Sequence, residues 1–405
     1  MTIEIISIGS ELLTGQTINT NASVMAQTML SHGFAIHRIT VLPDKSESLR
    51  QGIEEALARS SIVIASGGLG PTGDDVTRDV VSKIYGVSLE TNEVVRHDLI
   101  ERFGENFGTI EDQARLPKGC QVIYNPIGTA SGFILEGNAS LIVLPGVPNQ
   151  MEAMLDEVLS YLAQKIPDRM AMETLFLSLI SEKDVDPTLR LLEKEHPSVE
   201  FGICPGYGTL SVYLQGKDRV ELVRLREILS QKFSMHLFST KSKRIEEAFH
   251  EWMIEKGKTV AFAESCTGGH LAALITKLAG ASHDFLGSMV TYSNLLKESA
   301  LGVSSLKEHG AVSPETVTEM ASGVKRLTGA DYVVAISGIA GPTGGTPEKP
   351  VGTIWIAIQT PEELFVGCVP RHPSLKRRGL IIQYASTYAL AVLLRYLKDD
   401  VRPFS

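Results

Sequence analysis

Short apolar runs alternate with segments of helical period along almost the whole chain, and this alternation limits the fold more than any other feature. Residues 3–8 (Ile-Glu-Ile-Ile-Ser-Ile) read as a strand, and 19–30 as a helix with Ala22, Met25, Ala26 and Met29 on one face. Strands at 36–41 and 62–65 flank a helix at 47–58, and strands at 121–123, 132–135 and 141–144 precede a helix at 149–164. Such alternation predicts a parallel sheet covered on both faces. The pattern changes over 171–245 to strand 174–180, helix 187–195, strands 199–203 and 209–214, and helix 220–232. It then returns to strands at 259–263, 287–292, 333–337, 351–358 and 364–369 with helices at 314–327 and 375–397. The 405 residues suffice for two or three cores. The expected class is α/β: two parallel or mixed-sheet α/β domains, 1–170 and 246–405, joined by a small α+β domain, 171–245.

Charge narrows the function classes. With 38 basic against 47 acidic residues the net charge is −9, which offers no polycationic surface for DNA or RNA. The N-terminus enters a strand without a basic leader, and the most apolar stretch, 379–394, is interrupted by Gln383, Ser386 and Thr387. A cytoplasmic protein without membrane contact is expected. The four cysteines contain no C-x-x-C pair, so neither a zinc site nor a disulfide framework is indicated.

The chemistry concentrates at Glu264-Ser265-Cys266-Thr267-Gly268-Gly269, between the strand 259–263 and a helix beginning near His270. A strand-turn-helix corner presents short nucleophilic side chains beside the free amides of a helix start, where an oxyanion is favoured. The same residues also suit a plain helix start, with Ser265 or Thr267 as cap. The next strand empties into Tyr292-Ser293-Asn294, followed by Lys297. Parallel neighbouring strands align their carboxyl ends, so Tyr292 and Lys297 can face Ser265 across a crevice. A lysine serves as base for a serine once its pKa falls from about 10.4 to about 7 or 8, roughly 4 kcal/mol against the charged form. Cys266, with His270 or His283 as base, is an alternative nucleophile that spacing leaves open. Ser322-x-x-Lys325 lies within a helix without the motifs that accompany such pairs in serine acyl-transferases.

These residues, with His309-Gly310-Ala311-Val312-Ser313, Ser337-Gly338-Ile339-Ala340-Gly341-Pro342 and Lys349-Pro350-Val351-Gly352-Thr353, resemble in order the C-terminal domain of the competence/damage-inducible protein A (CinA) family. That domain is known as a nicotinamide mononucleotide deamidase. The resemblance implies catalytic Ser265, Tyr292 and Lys297 and no cofactor for the deamidation. It places substrate contacts at Thr267, Gly268, Gly269, Ser337, Gly338, Gly341 and Arg378. It also implies a homodimer acting on small nucleotides. The family commonly has a second arginine four residues after Arg378, where this chain has Ile382; Arg377 is the nearest substitute.

Near the N-terminus, Gly67-Gly68-Leu69-Gly70-Pro71-Thr72-Gly73-Asp74-Asp75-Val76-Thr77 joins a strand to a helix. Gly68, Gly70 and Gly73 satisfy G-x-G-x-x-G, but Pro71 removes an amide donor and Asp74 and Asp75 would repel a bare pyrophosphate. The two carboxylates suit a divalent cation, Mg or Co, bridging to phosphate oxygens, and equally suit a helix cap. Together with Gly9-Ser10-Glu11, Asn21, Pro43-Asp44 and Leu144-Pro145-Gly146-Val147-Pro148, this stretch looks like the molybdopterin-binding fold at the N-terminus of the same family. That likeness implies a nucleotide site of Glu11, Asn21, Asp44, Gly67, Gly68, Gly70 and Thr72, with Asp74 and Asp75 at the metal. It also implies metal-dependent ADP-ribose pyrophosphatase activity. Gln150 stands where relatives usually carry a glutamate, which weakens the expected metal site. The middle domain resembles the family's KH-like domain but has no GXXG clamp, Pro205-Gly206-Tyr207-Gly208 having the wrong spacing. The polar segment 239–244 reads as a solvated linker.

Overall fold

All six residues of β1 (Ile3–Ile8) are buried, as an apolar run requires when helices cover both faces of its sheet. Ile3 and Ile5 meet Met25 and Met29 of the Thr20–Ser31 helix on one face, whereas Ile6 and Ile8 meet Leu49 and Ile53 of the Ser46–Arg59 helix on the other. In this computed structural model all residues except Asn106, Lys243, Pro373 and Ser405 are described. The chain divides into two units, Met1–Met172 and Glu173–Ser405.

The remaining strands of the first unit are β2 (Ile36–Leu42), β3 (Ile62–Ser66), β4 (Leu89–Thr91), β5 (Arg115–Pro117), β6 (Gln121–Ile123), β7 (Gly132–Leu135) and β8 (Ser140–Leu144). Six form one sheet in the order β2-β1-β3-β8-β7-β6, while β4 and β5 form a separate pair. Pairings among β2, β1, β3 and β8 are parallel, and β7 pairs antiparallel with both neighbours. Because β2 and β3 follow β1 on opposite sides, the carboxyl ends of β1 and β3 diverge, and there an α/β sheet opens a ligand crevice. The helix expected over 149–164 is two, Pro148–Ala153 and Leu155–Lys165, jointed at the buried Met154.

In the second unit β9 (Ala171–Ser178), β10 (Glu200–Pro205), β11 (Thr209–Gly216) and β12 (Leu237–Ser239) form a four-stranded sheet ordered β10-β11-β9-β12. Its first helix spans Glu182–Glu195, five residues more than the expected start at Pro187. The reciprocal Ser181–Asp184 capping box starts it earlier, and Pro187 sits inside. The second sheet, ordered β14-β13-β15-β16-β17, contains β13 (Val260–Glu264), β14 (Phe285–Val290), β15 (Tyr332–Gly338), β16 (Ile354–Gln359) and β17 (Leu364–Cys368). β13 runs parallel to both neighbours; β16 and β17 are antiparallel.

The two sheets of this unit are not separated by a solvated linker. Ser239 ends β12, and Phe238 lies in one core with Phe249, Met253, Phe262 and Leu390. Lys398 donates to the Leu237 carbonyl at 3.0 Å. Of the expected linker, Thr240, Lys241 and Arg244 are exposed, and Lys243 lies outside the described residues. The terminal helix Arg378–Asp399 is long and apolar enough to cross a membrane by composition, but Ala385, Ala389 and the run Leu390–Leu394 are buried in this core.

Candidate functional site

In the second unit β13 delivers the 264–269 corner to the carboxyl edge of its sheet. Glu264, fully buried, turns its carboxylate onto the helix that follows. Oε2 accepts from the Gly269 and Leu271 amides at 3.0 and 3.1 Å, and Oε1 from the Ala272 amide at 3.0 Å and the Ser288 hydroxyl at 2.9 Å. A carboxylate at a helix start is favoured by the unpaired amides there. Gly269 is the N-cap at φ 96, a left-handed conformation that a side chain strains. Sequence reading gave Glu264 no role, because nothing in spacing shows a carboxylate folding back onto amides five to eight residues on.

Glu264 changes which donors face the reacting centre. The Gly269 amide is committed to it, and the Gly268 amide donates to the Ser265 carbonyl at 3.1 Å. Of the amides expected to hold an oxyanion over 267–269, only that of Thr267 is left, joined by that of Cys266; neither donates to the backbone among the described residues. The Thr267 hydroxyl is buried without a hydrogen-bond partner there.

Lys297, 1% exposed, projects from the Asn294–Leu301 helix to Ser265. Its Nζ donates to Ser265 Oγ at 2.9 Å, to the Thr291 carbonyl at 2.8 Å and to the Tyr292 carbonyl at 3.3 Å. Burial pushes its pKa below the ordinary lysine value. A neutral amine in this position spends its two N–H bonds on the two carbonyls and turns its lone pair to Ser265. Cys266 is buried, and desolvation pushes its thiol up to about 12, which removes the thiolate a cysteine nucleophile needs. His270 is half-buried with its pKa lowered, chiefly by desolvation, and His283 faces its own turn, Nδ1 donating to the Gly280 carbonyl at 2.9 Å.

Tyr292 joins the site through both its backbone and its side chain. Its carbonyl helps orient Lys297, while its phenol, on a residue 60% exposed, accepts from Arg378 Nη2 at 2.8 Å. Arg378 Nη1 donates to the Gly341 carbonyl at 2.8 Å, so one guanidinium ties the tyrosine to the glycine-rich loop. Of Ser337 and Gly338, expected at the substrate, Ser337 is buried and faces inward, and Gly338 is half-buried. Ser337 Oγ donates to the Ala311 carbonyl at 2.6 Å, and a side chain at Gly338 would run into Thr353 and Ile354. Ile382 packs against the core, and Arg377 stands at the helix N-cap outside the Tyr292–Arg378–Gly341 link.

In the first unit a cavity of about 490 Å³ opens at the switch point between β1 and β3. Glu11, Asn21, Asp44, Gly67, Gly68, Gly70, Asp74 and Asp75 all line it. Gly67, at φ 125, lets β3 leave the sheet against β1, since a side chain there would meet the Ile8 carbonyl. Asn21 Nδ2 donates to the Gly146 carbonyl at 2.8 Å and to Ser66 Oγ at 3.0 Å, tying β3 to the loop after β8. Ser10 donates to Asp44 at 2.5 Å. Thr72 lies outside the lining and braces Asp75, to which its amide and hydroxyl donate at 3.1 and 2.5 Å. Neither aspartate caps the following helix, whose N-cap is Val76. Gln150 Oε1 accepts from Asn125 at 2.8 Å and so holds the 125–130 loop against the cavity. The lining also includes Asn19 and Thr129, to which no motif pointed.

The oxygen donors Asp44, Asp74 and Asp75 have the chemistry that a hard divalent cation takes. Among the described residues no group of three or more His, Cys, Asp or Glu could hold a metal ion.

Comparison with known proteins matches residues 242–397 to the CinA C-terminal domain and residues 4–165 to the "Probable molybdopterin binding domain". A CinA-like protein of Citrifermentans bemidjiense is 39% identical over 370 residues, covering 88% of this chain and 89% of its own. A CinA-like protein of Thermotoga maritima is 36% identical over 410 residues and 98% of both chains. The crystal structure of CinA from Thermoplasma acidophilum is 34% identical and covers 40% of this chain and 96% of its own, at a TM-score of 0.38. The chain, matching CinA-like proteins over nearly their whole length with both domain types in order, belongs to the CinA family.

Proposed function

We propose that the second unit is an amidohydrolase that deamidates nicotinamide mononucleotide to nicotinate mononucleotide and ammonia. The observation that carries this reading is the buried Lys297 Nζ, 2.9 Å from Ser265 Oγ and anchored by two carbonyls. Neutral Lys297 takes the Ser265 proton as Oγ attacks the carboxamide carbon. The developing oxyanion is met by the Cys266 and Thr267 amides. Lys297 returns the proton to the amide nitrogen, the C–N bond breaks and ammonia leaves an ester on Ser265. Water, deprotonated by Lys297, then attacks that ester, the proton goes back to Ser265 as its C–O bond breaks, and the released nicotinic acid group loses its own proton to solvent. Arg378 and Tyr292 hold the wall over which the nucleotide lies. Ammonia release from nicotinamide mononucleotide by the purified chain, lost in Ser265→Ala and Lys297→Ala, tests the reading. A chain that binds the nucleotide without releasing ammonia would be a nucleotide-responsive regulatory protein instead.

A second reading concerns the first unit, where the acidic cavity at the switch point supports hydrolysis of a nucleoside diphosphate such as ADP-ribose. Asp74 and Asp75 would hold a Mg- or Co-type cation against the phosphates, and such a cation would offset the diphosphate's negative charge. Asp44 and Asn21 line the cavity beside them, the first held by Ser10 and the second by Gly146 and Ser66. Calorimetry with ADP-ribose tests this, because equal affinity with a chelator and with Mg²⁺ would contradict a cation bridge between like charges.

A further inference from the structure

Between Glu363 and Asp399 the chain contains no acidic residue, and five of the ten residues 369–378 are Arg371, His372, Lys376, Arg377 and Arg378. In a chain of net charge −9 this is a local reversal of sign. Three of the five line a second cavity, of about 520 Å³, whose walls are Pro342, Val351, Arg371, His372, Leu375 and Lys376. No carboxylate lines it, and among the described residues neither Arg371 nor Lys376 has an ion-pair partner. The His372 ring is fixed edge-on to Tyr384, 5.9 Å between centroids. Two unneutralised cations and an imidazole around one open cavity are the donor set of an anion site, and a phosphate monoester matches their charge and donor chemistry.

The cavity is linked to the reacting centre by a chain of contacts. Pro342 follows Gly341, whose carbonyl is held by Arg378, whose other nitrogen holds the Tyr292 phenol, whose carbonyl receives Lys297. We infer that this cavity binds the 5′-phosphate of the nucleotide amide, with Arg371 and Lys376 as the residues that separate a mononucleotide from its phosphate-free riboside. The inference rests on the amidohydrolase reading for its substrate, but the anion site stands on its own geometry. Binding to groups remote from the carboxamide is uniform in ground and transition states, so it appears in KM and not in kcat.

The full chain and Arg371→Ala/Lys376→Ala are compared by calorimetry with inorganic phosphate, nicotinamide mononucleotide and nicotinamide riboside, and by ammonia release from the last two. The difference between the chains removes any phosphate held in the first unit. Losing two charge-assisted contacts is expected to raise KM for the mononucleotide about 10- to 100-fold, with kcat changed less than about threefold. The riboside parameters stay the same, and Arg371→Lys recovers part of the loss. Unchanged phosphate and mononucleotide affinity in the double variant overturns the inference, as does an equal loss for mononucleotide and riboside. A wild-type chain that binds phosphate through these residues but releases no ammonia retains the anion site and removes the amidase reading. Should the double variant lose its native circular dichroism, Lys376→Gln and Arg371→Lys alone carry the comparison, with a KM increase for the mononucleotide only as the supporting result.

Discussion

Ser265 and Cys266 are neighbours of similar size, and their surroundings assign them opposite parts. Desolvation raises the Cys266 thiol and lowers the Lys297 ammonium, so the neutral forms of both are favoured: inert in the first, basic in the second. Ser265→Ala and Lys297→Ala are each expected to reduce ammonia release at least about 1,000-fold, while Cys266→Ala retains most of it. An inactive but folded Cys266→Ala with an active Ser265→Ala would reverse the assignment. The pH dependence has a definite sign. Only unprotonated Lys297 accepts the serine proton, so kcat/KM rises with pH and levels off above the depressed lysine pKa, short of the ordinary value near 10.5. Lys297→Arg, charged at every accessible pH, should show no such rise. A profile falling across neutral pH in the wild type would contradict the lysine base.

Single carboxylates set the geometry of whole elements. Glu264 gathers three amides and a hydroxyl, fixing where the helix after the nucleophile begins. Glu264→Gln turns an NH₂ toward donors, and the unmet amides should cost about 2 kcal/mol of stability and slow turnover, because the Thr267 amide moves with the corner. A variant with unchanged melting and kcat would show the corner to be held otherwise. In the first unit Glu4, fully buried, accepts from Arg59 at 2.7 and 2.9 Å and from Thr40 and Ser60, locking β1 to β2 and to the Ser46–Arg59 helix. Burial raises its pKa, but the bonds from Arg59, Thr40 and Ser60 outweigh this and hold it below the ordinary carboxylate value. Its stabilisation is thus present above the unfolded pKa and is lost as pH falls through the lower folded one. Arg59→Ala, which leaves that carboxylate buried without its cation, should cost about 3 kcal/mol at neutral pH. Denaturation at pH 7 and pH 4 should show the penalty shrinking at the lower pH; a constant penalty would mean packing, not charge, was lost.

At the scale of the molecule the alternation of strands and helices placed both candidate sites at the carboxyl edge of a sheet, each where the strand order diverges. Asp75→Asn is expected to abolish cation-dependent ADP-ribose binding and leave deamidation unchanged, because the acidic cavity and the Ser265 corner lie in different units. Loss of both activities would link them. The shared core around Phe238 bears on how far the chain can be cut. A fragment beginning at residue 173 keeps that core, whereas one beginning at 246 loses Phe238 and should be about 3 kcal/mol less stable. Equal melting of the two fragments would show that Phe238 contributes nothing to the second sheet.

The sequence by itself determined the class of fold, the order of the strands along the chain and the neighbourhoods of chemistry, because hydrophobic period and glycine-rich turns are local properties. Ser265, Lys297 and the glycine-rich part of the acidic cavity's lining were legible for that reason: each lies on the turn or helix that follows a strand end which parallel pairing aligns with its neighbours. What faces what was decided only in three dimensions. Glu264 takes the Gly269 amide, Tyr292 offers its carbonyl to Lys297 and its phenol to Arg378, Ser337 turns to Ala311, and Thr72 braces Asp75. Each of these turns on the direction of a side chain about its own backbone, which is fixed by the partners that packing brings within about 3 Å and not by spacing along the chain.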